Sequence, residues 1–214
     1  MKVRVGILDY GAGNIASVAQ AVATMGGEPR LLADPAGFDQ VDRLILPGVG
    51  AFKDAMDALS ARGLPDALHD WTAAGRPLLG ICLGMQVLFE RGEEFGDHEG
   101  LGLLAGRVRR IPQLTTLGAG LRVPHIGWNR LSPPVGRAWD NSILRELVPG
   151  DWTYFVHSYT ACPDDPDTCL AETSYGGHML CAAVRHASIT GCQFHPEKSG
   201  RVGLAIIKAF LEPL

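Results

Sequence analysis

The sequence predicts an α/β fold with a mostly parallel central sheet and helices on both of its faces. Short apolar runs alternate with longer amphipathic runs through the first half of the chain. One of these apolar runs ends in a Gly-x-Cys-x-Gly turn, which is typical of a strand that passes directly into a helix. Turn residues separate strand-like segments in the second half, so we also expect an antiparallel β portion there.

Strand and helix patterns alternate in the first half. Strands are expected at residues 3–8, 29–33, 43–46 and 77–81. Helices are expected at residues 15–25 after a turn at 11–14, at residues 51–74 with an interruption at Gly63 and Pro65, and at residues 83–91 before Gly92. Helical crossovers between strands imply parallel pairing with helices on both faces of the sheet.

The second half favours short strands and ends in a helix. Strands are expected at residues 107–111, 152–157, 170–175 and 179–184, with loops at 133–136 and 163–167. A terminal helix is expected at residues 203–211, where Leu204, Ile207 and Leu211 share one face. Because no repeat or low-complexity linker marks a boundary, we expect one domain over residues 1–214.

Composition and charge exclude several classes of function. The formal net charge of −4 leaves no basic surplus to displace counterions from nucleic acid. No apolar run approaches the roughly 18 residues of a membrane span, and the N-terminal apolar stretch lacks a signal-peptide cleavage site. The five cysteines are odd in number and form no Cys-x-x-Cys pair. We therefore expect reduced thiols in the cytoplasm, with neither metal nor cofactor.

The most informative turn surrounds Cys82, in the sequence Gly-Ile-Cys-Leu-Gly-Met-Gln. A thiol at a helix N-terminus feels a partial positive charge, which favours the nucleophilic thiolate. Glycines on both sides are needed where backbone segments approach closely. The N–H of Leu83 is expected to be free to donate to a developing oxyanion. The alternative is a buried core cysteine between two incidental glycines.

A candidate base lies in the stretch Gln-Phe-His-Pro-Glu, at His195. A cysteine nucleophile needs a group that takes its proton and later returns it to the leaving amine, and histidine titrates near neutral pH. Glu197 would hold the imidazole in the productive tautomer. Pro196 between them stiffens the turn. Taken together, Cys82, His195 and Glu197 predict a catalytic triad.

These two motifs resemble those of the class I, triad-type glutamine amidotransferases. Within that class, residues 9–14, 47–52, 124–129 and 155–159 are similar to glutaminase subunits of imidazole glycerol phosphate synthases. The resemblance spans nearly the whole chain in the same order, and it implies a flavodoxin-like core. It also implies a reaction in which Cys82 attacks the side-chain amide of glutamine and passes through a thioester to release glutamate and ammonia.

The resemblance further suggests the residues that assist this reaction. The second oxyanion donor would come from Val49 or Gly50, and the glycines beside Val49 would let that peptide rotate, so the oxyanion hole could depend on a partner. The alternative is a plain turn at the end of a strand. The candidate substrate-binding residues are Gly48, Gly84, Gln86, Ser158 and Tyr159.

A partner is implied because ammonia released into water is protonated and loses its nucleophilicity. The resemblance implies a (β/α)₈ cyclase subunit that receives the ammonia in a heterodimer. The candidate interface residues are Asn14, Trp128, Asn129, Tyr154, Tyr159 and Lys198. No nucleic acid or membrane partner is expected.

Three alternative functions remain open at the level of the sequence. Another triad subunit could feed ammonia to anthranilate, aminodeoxychorismate or guanylate synthesis. A thiol peptidase or γ-glutamyl hydrolase would use the same three residues on peptides or polyglutamates. A non-catalytic binding module would tolerate loss of the nucleophile, and the intact Cys82, His195 and Glu197 weigh against it.

Overall fold

The computed structural model describes residues 2–11 and 13–213. Ala12 of the predicted 11–14 turn, together with Met1 and Leu214 of the predicted domain, lies outside the described residues. The strands are β1 (Arg4–Leu8), β2 (Glu28–Leu32), β3 (Arg43–Leu46), β4 (Leu78–Ile81), β5 (Phe89–Gly92), β6 (His98–Glu99), β7 (Leu104–Arg110), β8 (His125–Arg130), β9 (Trp152–His157), β10 (Tyr159–Pro163), β11 (Cys169–Tyr175), β12 (His178–His186) and β13 (Ile189–Cys192). The helices are α1 (Ile15–Thr24), α2 (Phe52–Ser60), α3 (Leu64–Ala73), α4 (Leu83–Gln86) and α5 (Gly200–Leu211).

A seven-stranded sheet in the order β11-β12-β13-β4-β3-β1-β2 forms the centre of the fold. The strands from β13 to β2 pair in parallel, whereas β12 and β11 extend the sheet with antiparallel pairing. Two smaller sheets have the orders β10-β7-β5-β6 and β8-β9. This arrangement confirms the predicted mostly parallel sheet with an added antiparallel portion.

Helices cover both faces of the sheet. Successive apolar side chains of a strand point to opposite faces, so both faces must be buried. Leu44 and Leu46 of β3 pack in one apolar cluster with α2 and α3. Ile45 points to the other face, where its cluster includes residues of α1 and α5. All four residues of β4 are buried, as expected for a parallel strand covered on both sides.

The prediction of a helix over residues 83–91 was wrong. Helix α4 ends at Gln86, and the chain enters strand β5 at Phe89. Every residue from Leu83 to Phe89 is buried, so the segment has no polar face that would separate a helical from a strand pattern. The chain therefore leaves α4 early, and Glu94 follows the end of β5 by two residues.

Other boundaries differ in smaller ways. The 51–74 helix divides into α2 and α3 at Gly63, which has a φ of 63°, as the predicted interruption requires. Strands β8 and β10 were not predicted as strands. Helix α5 begins at Gly200, and its most buried large side chains include Ile206 and Phe210, whereas Leu204 is only half-buried.

Candidate active site

Cys82 occupies the sharp turn between β4 and α4 with φ 55° and ψ −111°. This backbone conformation is strained for a residue other than glycine and costs on the order of 1–3 kcal/mol. Fixed hydrogen bonds hold it: the Cys82 N–H donates to Cys192 O at 2.7 Å, and its carbonyl accepts from the Gln86 N–H at 3.2 Å. The strained turn presents the sulfur to a cavity that Cys82 helps to line.

The glycines beside Cys82 are required by close backbone approach, as predicted. A Cβ added at Gly84 would lie 1.8 Å from Leu46 O, and one at Gly80 would lie 2.7 Å from Gly84 O. A Cβ at Gly48 would lie 2.9 Å from the Gly84 N. Gly48 and Gly84 are not among the residues that line the cavity, so we assign them backbone packing rather than substrate contact.

His195 and Glu197 form a buried pair, and His195 lines the same cavity as Cys82. The Nδ1 of His195 lies 2.7 Å from Oε1 of Glu197, and the two side chains are 1% and 0% exposed. The carboxylate can only accept, so Nδ1 carries the proton and Nε2 is left for the nucleophile and substrate. Burial alone lowers the pKa of His195, but contacts with Cys82 and Glu197 outweigh it and raise the pKa to about 9.

Asn14 also contacts the triad, although we predicted it at the partner interface. It has a φ of 75° at the start of α1, and its side chain does not cap that helix. Instead, its Nδ2 donates to Oε1 of Glu197, the oxygen that also faces His195. Asn14 and Glu197 are 183 residues apart in sequence, so no local pattern could have predicted this contact.

The expectation that the Leu83 N–H is free was wrong. It donates to Gly48 O at 3.3 Å. The C=O of Gly48 and the N–H of Val49 belong to one trans peptide and point in opposite directions. Because this C=O faces Leu83, the Val49 N–H points away from Leu83 in this conformation. Of the predicted oxyanion donors, the Leu83 N–H is therefore occupied and the Val49 N–H faces away from it in this conformation.

Residues 47–50 contact the turn after β1. The Tyr10 hydroxyl donates to Pro47 O at 2.7 Å, and burial raises the pKa of Tyr10. A Cβ at Gly13 would lie 3.2 Å from Cγ2 of Val49. Gly50 has a φ of 109° with no atom within 4 Å of a Cβ, so the space beside it is open.

Cys82, His195 and Val49 line a cavity of about 330 Å³, a size within the usual range of small-molecule sites. Of the predicted substrate-binding residues, Gln86, Ser158 and Tyr159 line it. Glu94 is the one acidic residue among those that line it, and its Oε2 accepts from the Phe52 N–H at the start of α2 at 2.8 Å. Sequence reasoning missed Glu94 because its position depends on the chain leaving α4 early.

Two further histidines lie beside the cavity, and both are held neutral. Burial lowers the pKa of His125 to about 4 and that of His157 to about 3. His157 Nδ1 donates to Tyr159 O at 2.8 Å, so its Nε2 accepts from His125 Nδ1 at 3.0 Å. These tautomers are fixed by their partners, and His195 is the histidine whose raised pKa suits proton transfer.

Three of the predicted interface residues lie on the β8–β9 pair and divide between its two faces. Trp128 is 52% exposed, and its ring lies edge-on to that of Tyr154 at 6.0 Å. Asn129 points to the opposite face, where its Nδ2 donates to Ser174 O at 2.9 Å. Lys198 is exposed beside Glu197. We therefore retain Trp128, Tyr154 and Lys198 as surface candidates and regard Asn129 as structural.

The family model for glutamine amidotransferase class-I matches residues 7–213. The chain belongs to this family. The amidotransferase is 45% identical over 209 residues to "Imidazole glycerol phosphate synthase subunit HisH 1" of Legionella pneumophila (strain Lens), with 97% of this chain and 98% of the relative covered. It is also 45% identical over 205 residues to the subunit HisH of Syntrophotalea carbinolica, with coverage of 95% and 97%. These matches confirm the resemblance drawn from the motifs.

Solved structures support the same fold for the amidotransferase. The structure of PurLQS from Thermotoga maritima superposes with a TM-score of 0.76 at 20% identity, covering 99% of this chain and 98% of the other. The glutaminase domain of Trypanosoma brucei CTPS gives a TM-score of 0.61 at 18% identity, with coverage of 100% and 95%. At such identities the likeness concerns the fold alone.

Residues 2–11 and 13–213 of the amidotransferase contain neither a candidate metal cluster nor a candidate membrane-spanning helix. No group of three or more His, Cys, Asp or Glu side chains in this part of the chain could hold a metal ion. None of its helices is long and apolar enough to cross a bilayer.

Proposed function

We propose that this amidotransferase is the glutaminase subunit of an imidazole glycerol phosphate synthase. It hydrolyses glutamine and passes the ammonia to a cyclase partner in histidine biosynthesis. The observation that carries the proposal is that the strained Cys82 turn faces the same cavity as His195, whose Nδ1 is paired with Glu197. Relatives that bear this name are 45% identical over nearly the full chain. We therefore favour histidine biosynthesis over the anthranilate, aminodeoxychorismate and guanylate pathways.

The triad residues divide the reaction into two steps. The Cys82 thiol gives its proton to Nε2 of His195, its sulfur attacks the side-chain amide carbon of glutamine, and the carbonyl oxygen becomes an oxyanion. His195 protonates the departing ammonia through Nε2, which leaves a γ-glutamyl thioester on Cys82. Water then gives a proton to His195 and attacks the thioester carbon, the carbon–sulfur bond breaks to release glutamate, and the proton returns from His195 to the Cys82 sulfur. Glu197 accepts from Nδ1 throughout and stabilises the imidazolium.

The oxyanion hole acts as the switch in this proposal. Rotation of the Gly48–Val49 peptide would release the Leu83 N–H from Gly48 O and turn the Val49 N–H towards the site. Loss of one such donor costs about 10²–10³ in rate, so the resting conformation would be only weakly active. Tyr10 and Gly13 support this stretch from the turn after β1, where a docked partner could bias the rotation.

Glu94 is our candidate for binding the α-ammonium group of glutamine. Its carboxylate lies in the cavity wall with one oxygen engaged by the Phe52 N–H, and the other oxygen can accept from a cation. Gln86, Ser158 and Tyr159 complete the polar wall. This charge requirement favours free glutamine over an internal peptide residue, whose α-nitrogen is not cationic.

We place the (β/α)₈ cyclase on the exposed face of the β8–β9 pair, in a heterodimer. Trp128 is exposed there and its ring packs edge-on against the partly buried Tyr154, and aromatic residues dominate interface energetics. Val156 lies two residues beyond Tyr154 on β9 and lines the catalytic cavity, so the docking face continues to the site where ammonia forms. The five free cysteines fit the cytoplasm as the location.

Glutamate release from glutamine tests the proposal, with and without the cyclase and its nucleotide ligand. We expect low activity alone, strong stimulation in the complex and none in Cys82→Ala. Undiminished hydrolysis by Cys82→Ala would refute the mechanism, whereas full activity without a partner would refute only the conditional oxyanion hole. Cleavage of polyglutamates at full speed by the chain alone would favour the γ-glutamyl hydrolase instead.

A further inference from the structure

We propose that Gln193 is a positioning residue that donates a hydrogen bond to the Cys82 sulfur, and that Gln86 fixes the orientation of its amide. The inference rests on the proposed role of Cys82 as nucleophile. The Nε2 of Gln193 lies 3.8 Å from Sγ of Cys82, within reach of an N–H···S contact. No substrate or triad role was predicted for this glutamine from the sequence.

The position of Gln193 is set by the sheet. It follows β13 directly, is 0% exposed, and its N–H donates to Ala182 O at 2.9 Å. Strands β13 and β4 are adjacent and parallel, so the residues after their carboxyl ends lie side by side. A buried amide must find partners for its polar atoms, and Gln193 finds them in Gln86 and Cys82.

The orientation of the Gln193 side-chain amide follows from its hydrogen bond to Gln86, which is itself oriented by a backbone carbonyl. The carbonyl of Tyr159 can only accept, so the Gln86 atom that lies 3.0 Å from it must be the NH₂ group. That same Nε2 lies 2.8 Å from Gln193, which must therefore present its oxygen to Gln86. The NH₂ group of Gln193 is then left facing the sulfur.

The sulfur has two further polar neighbours: His195, which exchanges a proton with it in the proposed mechanism, and a backbone carbonyl, which can only accept. Sγ of Cys82 lies 3.9 Å from Val156 O, which can hold the thiol proton but repels a thiolate. An N–H donor favours the charged form of its acceptor. The Gln193 amide thus offers the sulfur a partner that remains after its proton has gone, and it does so without being among the residues that line the cavity.

A purely structural role would look the same in the folded protein, so the test must report on the sulfur. We would measure the rate at which iodoacetamide alkylates Cys82 as a function of pH, with peptide mass spectrometry to separate it from the other cysteines. In Gln193→Met we expect the profile to move by about one pH unit to higher pH, so alkylation near neutral pH slows about tenfold. In the complex, kcat should fall with little change in KM for glutamine.

Gln86→Met is the second test variant. Iodoacetamide reacts with Cys82 without help from the glutamine-binding residues, so this variant can be measured in the same assay. It should move the profile in the same direction by less, and the double variant should move it no further than Gln193→Met alone. If Gln193→Met does not fold, Gln86→Met carries the test by itself. Unchanged profiles in the folded variants would overturn the proposal, and so would additive shifts in the double variant.

Thr173→Val is the matched control. Thr173 is fully buried in β11, and its hydroxyl has no hydrogen-bond partner in the described part of the chain, so this variant removes a buried polar group away from the sulfur. It should leave the alkylation profile unchanged. Hydrolysis by Cys82→Ala would refute the proposed function itself, an outcome distinct from an unchanged profile in Gln193→Met.

Discussion

Replacement of Glu197 by glutamine isolates the charge of the carboxylate from its geometry. Oxygen Oε1 accepts from both His195 Nδ1 and Asn14 Nδ2, and the amide oxygen of a glutamine can accept from the same two donors. We therefore expect Glu197→Gln to fold with the triad geometry kept. The change removes the negative charge that stabilises the imidazolium of His195.

The size of the effect follows from the pKa of His195. Its rise from 6.5 to about 9 corresponds to roughly 3 kcal/mol of preference for the imidazolium. Cys82 and Glu197 both raise the pKa against the effect of burial, so we expect loss of the Glu197 charge to cost about 1–2 kcal/mol of stability. A histidine whose pKa is higher in the folded state stabilises the fold fully at pH values below its pKa in the unfolded state. That stabilisation is lost as the pH rises through its pKa in the folded state. The advantage of the wild type should thus be greatest below pH 6.5 and vanish by pH of about 9.

Urea denaturation between pH 6 and pH 9.5 measures this difference, with Glu99→Gln as the control that removes the same charge from an exposed position. The His195 pKa can be followed separately by NMR and should fall in Glu197→Gln. Glutamine hydrolysis should fall by several orders of magnitude. A stability difference that stays constant across this pH range would refute the assigned coupling between His195 and Glu197.

Three further predictions concern the turn, the cavity and the docking face. Gly84→Ala places a Cβ 1.8 Å from a backbone oxygen of β3 and should destabilise the protein in urea by about 2 kcal/mol or more, whereas Gly120→Ala, which meets no atom within 4 Å, should not. Glu94→Gln should raise KM for glutamine about tenfold to a hundredfold with kcat less affected; an unchanged KM would remove Glu94 from the binding site. Trp128→Ala should weaken cyclase binding in calorimetry about thirtyfold, or about 2 kcal/mol, and equal affinities for Trp128→Ala and the exposed control Leu31→Ala would contradict the docking face.

The meeting of Cys82 and His195 could be predicted because both follow strands of one parallel sheet. Strands β4 and β13 are neighbours, with Ile81 paired to Cys192, so the residues beyond their carboxyl ends lie at the same edge. The glycine spacing around Cys82 also predicted the turn geometry, because neighbouring backbone lies too close there to leave room for a Cβ.

The contacts that tune the site could not be predicted, since each joins segments far apart in sequence. Asn14 reaches Glu197, and Gln193 reaches Cys82 across 111 residues. The occupied Leu83 N–H depends on the orientation of the Gly48 carbonyl, which no residue pattern reports. Glu94 was missed because the fully buried run after Cys82 carries no periodicity that would mark the end of α4.

The central claim is that Cys82 carries the γ-glutamyl group during glutamine hydrolysis. Mass spectrometry of the Cys82 peptide, after the cyclase complex has been mixed with glutamine and quenched in acid, tests it most directly. We predict a transient adduct with the mass of a γ-glutamyl group on Cys82, with none in Cys82→Ala. Turnover of glutamine in the complex without any such adduct, or an adduct on another cysteine, would contradict the mechanism.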